Sequence, residues 1–224
     1  QNTDAIQSIT YMSTVNAETL ISKFLNEWLE PSTGSGEIKW VEMYYLWKSF
    51  IKSYNLPIMP VFLKDLKIKL SEKFNYDKVN DSYKMITSSK LQYVKIFQEF
   101  WNTTIEEGDD EFEVSELWLL YLDWINSKNI KIKGINEEKI QFLIEHFSQK
   151  PIVDGKIISS IKCCLWDKQN EMENIIHQVK VDYNFYKEYD VSIYTLYKDY
   201  CSKILESDGK KTVSKKYFEK YITR

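Results

Sequence analysis

The residues best placed to do chemistry in this chain are lysines that come in rows. Lys64, Lys67, Lys69 and Lys73 lie close together, and Lys210, Lys211, Lys215, Lys216, Lys220 and Arg224 cluster near the end of the sequence. With Lys203, and against Glu206, Asp208 and Glu219, the final stretch carries a local excess of four positive charges. Lys131 and Lys133 form a smaller third group. Ammonium groups on an exposed helix neutralise phosphates and release their counterions, which gives salt-sensitive binding. Among 30 basic residues only Arg224 is an arginine. The commonest base-specific contact, a bidentate arginine on guanine, is therefore scarce, so any nucleic-acid contact should follow the backbone rather than the sequence. The same rows are also how a helix solvates its outer face, and in so lysine-rich a chain that second reading stands beside the first.

Other reactive side chains form no comparable set. Glu106, Glu107, Asp109, Asp110, Glu111 and Glu113 crowd into one short stretch, but they lack the alternating spacing and turn glycine of a calcium loop. This stretch is expected to be a solvated linker, or else a dock for a basic partner. His146, His177, Cys163, Cys164 and Cys201 show no zinc-ligand spacing. Cys163 and Cys164 are expected on a strand, facing opposite ways. No Walker-type phosphate loop is present, nor a Ser-His-Asp set. The chain therefore reads as non-catalytic, with no cofactor and no metal. Trp40, Tyr76, Tyr83 and Trp166 lie near expected β elements, where they could stack on bases or pack into cores.

The elements that must position these groups repeat. ELWLLYLDWINSKNIKI (116–132) carries apolar residues at Leu117, Leu120, Tyr121, Trp124 and Ile125, the stripe of a half-buried helix. Ser115 is placed to cap it. EMYYLWKSFIKSYNLPI (42–58) precedes it by 74 residues and aligns Glu42 with Glu116, Ile51 with Ile125, Ser53 with Ser127 and Asn55 with Asn129. Trp47/Tyr121 and Phe50/Trp124 also coincide. The stripe returns 76 residues later as Ile193, Leu196, Tyr197, Tyr200 and Ile204. Phe24 and Trp28 on a leading helix match Phe97 and Trp101. Such self-similarity marks an internal repeat.

Between the stripes the chain reads as an ordered series. A lead-in over 1–17 precedes a helix at 18–30, a break at 31–36, and a short β element at 38–41. The helix at 42–54 follows, then a proline-bounded connector at 55–60. The helix at 61–74 should turn Phe62, Leu66, Leu70 and Phe74 inward, and a hairpin follows at 76–87. Next come helices at 90–102 and 136–147 flanking the second stripe, and a hairpin turning at Asp154-Gly155. Helices at 171–181, 192–205 and 214–222 complete the chain, with a break at Asp208-Gly209. Helix, linker, short strand, helix, turn, helix and hairpin is the order of a winged helix. The expected fold is mainly α with small β-hairpins, in tandem winged-helix (helix-turn-helix) repeats over 18–89 and 90–167, with a truncated third helical repeat over 168–224.

The totals bound this reading. The chain has 224 residues, 43% of them apolar, with seven Trp, sixteen Tyr and eleven Phe to fill cores and only six Gly and four Pro to break elements. A net charge of −3 exerts no global pull towards nucleic acid. Three cysteines form no disulfide framework, which suits an intracellular setting. No apolar run has membrane-spanning length. The first residue is Gln1, and the chain is expected to be part of a longer protein.

VEMYYLWKSF (41–50) and VSELWLLYLDW (114–124), each with its following helix and hairpin, resemble the C-terminal winged-helix region of primase-helicases from poxviruses, other large nucleocytoplasmic DNA viruses and related phages. The likeness covers about two thirds of the chain. It implies an accessory module that holds duplex or forked DNA beside a motor, in the company of replication proteins, away from membranes and inside the host cell. The alternatives are a non-enzymatic protein-interaction scaffold in a viral replication or transcription complex, and the tail of a viral polymerase.

Overall fold

The computed structural model describes residues 16–34, 36–56, 61–132, 134–175, 192–206 and 211–223. Over these residues the protein is mainly helical, with small antiparallel sheets. It divides into two compact units, residues 1–98 and 99–224. Helices α8 (Ile193–Glu206) and α9 (Lys215–Ile222) fall in the second unit.

The first unit runs α1 (Ala17–Trp28), β1 (Glu30–Pro31), β2 (Glu37–Lys39), α2 (Trp40–Ser53), α3 (Leu63–Lys73), β3 (Tyr76–Asp77), β4 (Ser82–Lys84) and β5 (Ile86–Thr87). The Asn16 side chain caps α1 by accepting from the N–H groups of Glu18 and Thr19. The core is aromatic. Phe24 meets Trp47 and Phe50 edge-on, at 5.2 and 5.5 Å between ring centres, and Leu20, Leu46, Leu66 and Leu70 close around them. Strand order is β2-β4-β3, all antiparallel, and β1 pairs with β5.

Helix α4 (Gln92–Thr104) contains the division between the units. The second unit continues with β6 (Ile105–Glu113), α5 (Val114–Ser127), α6 (Glu137–Phe147), β7 (Ile152–Val153) and β8 (Ile157–Cys163), then a helical stretch at 168–175, α7, before α8 and α9. Its strand order is β6-β8-β7, the counterpart of β2-β4-β3. As expected, the β7–β8 hairpin turns through Asp154 and Gly155, both at positive φ, the backbone that a tight hairpin turn demands.

Helices α2 and α5 end alike. Asn55 and Asn129 adopt φ of 53° and 54°. The N–H of Leu56 reaches Ile51 O and that of Ile130 reaches Ile125 O, and the asparagine N–H groups reach Lys52 O and Asn126 O. This paired closure is a Schellman stop, in which the left-handed residue lets the chain satisfy the last carbonyls. Ser53 and Ser127 each return a hydroxyl to a carbonyl of the preceding turn, Phe50 O and Trp124 O.

Several expectations change. Residues 106–113 are not a linker. They form β6, paired along β8, with Phe112 and Asp110 buried. Acids fit there because β8 and neighbouring segments supply lysines. A bulge at Gly108 and Asp109 interrupts the register, and a Cβ on Gly108 would collide with the Lys162 side chain. Helix α5 begins at Val114 with Glu113, not Ser115, as its cap residue. Phe62 precedes the first turn of α3 and is 82% exposed, so it does not face inward. Trp28 and Trp101 are half-buried rather than core residues. Phe97 and Phe100 are both fully buried, and Phe100 meets Tyr121 and Trp124 edge-on. The connector at 57–60, most of the 1–17 lead-in, the Asp208-Gly209 break and residues 176–191 lie outside the described residues.

Candidate nucleic-acid interface

Helix α3 is short and polar, and its place is set by Leu66 and Leu70, both fully buried. Asp65 in its first turn and Lys73 in its last complement the helix dipole. The remaining faces carry the lysine row, but its members differ. Lys64 and Lys73 are exposed and make no ion pair among the described residues. Lys69 lies loosely between Glu18 and Glu72, at 3.5 and 3.7 Å. Lys67 is bound more closely: its Nζ is 2.7 Å from Asp81 Oδ1 and sits over the rings of Trp40 and Tyr76.

Beside α3 lies the β3–β4 hairpin. Asp77 organises its tip by accepting from the N–H groups of Val79 and Asn80 and from the Asn80 side chain. The Asn80 bonds, the Val79 N–H and Lys84 together hold the Asp77 carboxyl down at about 2. Burial works to raise the Asp81 carboxyl, but the bonds from Lys67 and Tyr76 outweigh it and keep it below the usual carboxylate range. Val79 at the tip is 92% exposed, between exposed Lys78 and Asn80.

The corresponding surface of the second unit has the opposite character. Helix α6, capped by Asn136, exposes Glu137, Glu138 and Glu145 with Lys139 as its lysine. The acids of β6 are matched to lysines: Glu107 to Lys150 at 3.1 Å, Asp109 to Lys162 at 3.3 Å and Glu111 to Lys220 at 2.5 Å. Lys211 pairs with Asp123 at 2.6 Å, and Lys215 reaches Glu219 and the Tyr194 ring. Lys131 and Lys216 are exposed. Lys133, Lys210 and Arg224 lie outside the described residues. The structure thus gathers Lys64, Lys67, Lys69 and Lys73 on one helix of the first unit, and Lys211, Lys215, Lys216 and Lys220 on or next to α9 in the second.

Of the four aromatic residues near β elements, Tyr83 and Trp166 are buried, while Trp40 and Tyr76 are half-buried against Lys67. Cys163 is buried and burial pushes its thiol up to about 11; Cys164, the next residue, is exposed. Among the described residues no His, Cys, Asp and Glu side chains gather into a metal site, and no helix is long and apolar enough to cross a membrane. A cleft of about 420 Å³ is lined by Glu106, Asp110, Lys162, Cys164, Trp166, Asp167 and Glu173.

One constellation escaped the sequence reading. Lys168 is 1% exposed, and its Nζ donates to Glu116 Oε2 and to Glu111 O, both at 2.8 Å. The rings of Phe112, Trp166 and Tyr217 surround it, with centroids 3.9–5.4 Å away. Glu116 also accepts from the N–H groups of Glu113 and Ser214. This carboxylate ties together β6, α5, α7 and the start of α9. Burial raises its pKa, and the Lys168 charge opposes that without cancelling it. The only signal in the sequence was the alignment of Glu116 with Glu42; nothing marked Lys168 as buried.

No protein-family model, curated protein or solved structure matches this chain.

Proposed function

We propose that the protein is a tandem winged-helix module that holds DNA, largely without regard to sequence, as an accessory part of a viral replication protein of the primase-helicase kind. In each unit a leading helix is followed by a strand, two helices and a hairpin, with that strand paired to the second strand of the hairpin (β2 with β4, β6 with β8). On this reading α3 is the groove-facing helix and the β3–β4 hairpin is the wing. The observation that carries the proposal is the exposed pair Lys64 and Lys73 on α3, beside a hairpin tip that presents Lys78. These lysines would meet phosphates, and the absence of arginine from α3 fits backbone contact rather than base reading.

The test is fluorescence-anisotropy binding to duplex, forked and single-stranded oligonucleotides across a salt series. Affinity near micromolar at low salt is expected. Its logarithm should fall with the logarithm of salt at a slope of about −2 to −3, as two or three phosphate contacts require. No binding at low salt would overturn the proposal.

A second reading, a protein-interaction scaffold in a replication or transcription complex, draws on the second unit. There the lysines of β8, α9 and their neighbours are matched to acids, and α6 presents glutamates. Under this reading Lys64→Glu together with Lys67→Glu leaves partner capture unchanged; under the first it abolishes DNA binding.

A further inference from the structure

The lysine row on α3 contains one member that is not available. Lys67 Nζ lies 2.7 Å from Asp81 Oδ1 and 4.9 and 5.2 Å from the ring centres of Trp40 and Tyr76. The Tyr76 hydroxyl donates to the same Asp81 oxygen at 2.5 Å. Asp81 itself stands at φ 47°, a left-handed conformation that Asp and Asn adopt more readily than other non-glycine residues. Its carbonyl accepts from the N–H of Trp40 at 2.7 Å. From the other side, the Tyr83 hydroxyl donates to the Lys67 carbonyl at 3.3 Å. One aspartate at the hairpin's return therefore receives bonds from the start of α2, from α3 and from β3.

We infer that Lys67 and Asp81, with Tyr76 and Trp40, form a positioning device that fixes the β3–β4 hairpin against α3, and that Lys67 is not a phosphate contact. The inference rests on the reading of α3 and this hairpin as the DNA-holding face. To reach a phosphate Lys67 would have to leave a carboxylate and two rings, whereas Lys64 and Lys73 would leave only water. The second unit serves as an internal control. There the first N–H of α5, on Val114, is received by Lys156 O at 2.8 Å, the same backbone bond as Trp40 to Asp81. Yet the residue in Asp81's place is an exposed lysine, and that hairpin turns through Asp154 and Gly155, both at positive φ. The backbone bond is common to both units; the ion pair is a device of the first.

Asp81→Asn separates the two roles of Lys67, because asparagine tolerates the left-handed backbone. If Lys67 contacted phosphate, Asp81→Asn would free it, remove a nearby negative charge and tighten binding to a duplex oligonucleotide. As a positioning device the pair predicts the opposite. Asp81→Asn and Lys67→Met should each weaken binding roughly three- to tenfold, the scale of one partly exposed ion pair with its ring contacts. The salt slope should not change, and Lys67→Arg should restore binding. Lys64→Met is the reference for a true phosphate contact and should reduce the slope by about one. Tighter binding by Asp81→Asn, or a slope lowered by Lys67→Met as by Lys64→Met, would overturn the inference. Amide hydrogen exchange gives a readout that needs no DNA. The N–H of Trp40 and that of Lys84, which bonds to Asn75 O, should exchange faster in Asp81→Asn. If the parent protein binds no oligonucleotide, faster exchange upholds the positioning role while the DNA reading falls, and unchanged exchange removes the positioning role as well.

Discussion

Glu42 and Glu116 occupy the same place in the two units, the third residue of the helix that follows the first strand. Each closes one backbone bond, from the N–H of Lys39 or of Glu113, at 2.9 Å, and each is nearly buried. Beyond that they diverge. For Glu42 the cap is the task that the described contacts show. Glu116 also holds the buried ammonium of Lys168 and the N–H of Ser214, and so secures α7 and α9, which have no counterpart among the described residues of the first unit. The contrast shows how one backbone solution can be put to different uses. Stripe, cap and left-handed stop are common to both units, while the groups around the cap decide whether the unit presents a lysine-bearing helix or binds additional helices.

The largest effect that would sharpen this contrast is the loss of each carboxylate in turn. Glu116→Ala removes the carboxylate beside the buried Lys168 ammonium and the acceptor of the Glu113 and Ser214 N–H groups, and should cost roughly 3–5 kcal/mol. Glu42→Ala removes a cap and should cost about 1 kcal/mol. Urea unfolding followed by tryptophan fluorescence measures both, since each unit contains tryptophans. Equal losses would mean that the Lys168 pair contributes nothing beyond the cap. Lys168→Met with Glu116→Ala should recover part of the loss, because an apolar chain in the ring of Phe112, Trp166 and Tyr217 needs no counter-charge.

Next in size, and expected to be equal in the two units, is the helix stop. Asn55→Ala and Asn129→Ala each force a Cβ-bearing residue without a compensating side-chain bond into the left-handed region, at about 1 kcal/mol apiece. Asn→Gly at either site should be neutral or slightly stabilising. A loss at one site but not at the other would break the correspondence between α2 and α5.

These equalities were legible in the sequence because they are local. The apolar stripes, the asparagines after the second helix and the Asp154-Gly155 turn all act within a few residues of themselves. What could not be read was set by partners far along the chain. Strand β6 carries acids where a strand pattern would show alternating apolar residues, and three of its six acids are paired with Lys150, Lys162 and Lys220, residues from three separate segments. Lys168 resembles any other lysine until Glu116 and three rings close over it. The lysine row on α3 was visible as a row, but its division into exposed Lys64 and Lys73 and engaged Lys67 depends on Asp81 in the next hairpin.

The smallest effect separates the units by the sign of their response to pH. Asp77 and Asp81 have carboxyls held below their unfolded values. Their contribution is present above about pH 4, the unfolded aspartate value, and is lost as pH falls through the depressed folded values, towards about 2 for Asp77. Glu116 has the opposite displacement. Its folded pKa is raised, so its contribution is complete below the unfolded glutamate value of about 4.3 and declines as pH rises through the raised one. As pH falls from neutrality towards the unfolded glutamate value, the second unit should therefore strengthen slightly and the first stay unchanged. Further acidification should loosen the β3–β4 hairpin slightly, because exposed ion pairs are screened by solvent. Amide exchange, corrected for the intrinsic pH dependence, reads the two separately at Lys84 in the first unit and Val114 in the second. Parallel loss of protection at both amides on acidification would show that the two carboxylate clusters are not electrostatically distinct. Divergence would trace the difference between the units to the burial of Glu116, which raises its pKa against the opposing charge of Lys168.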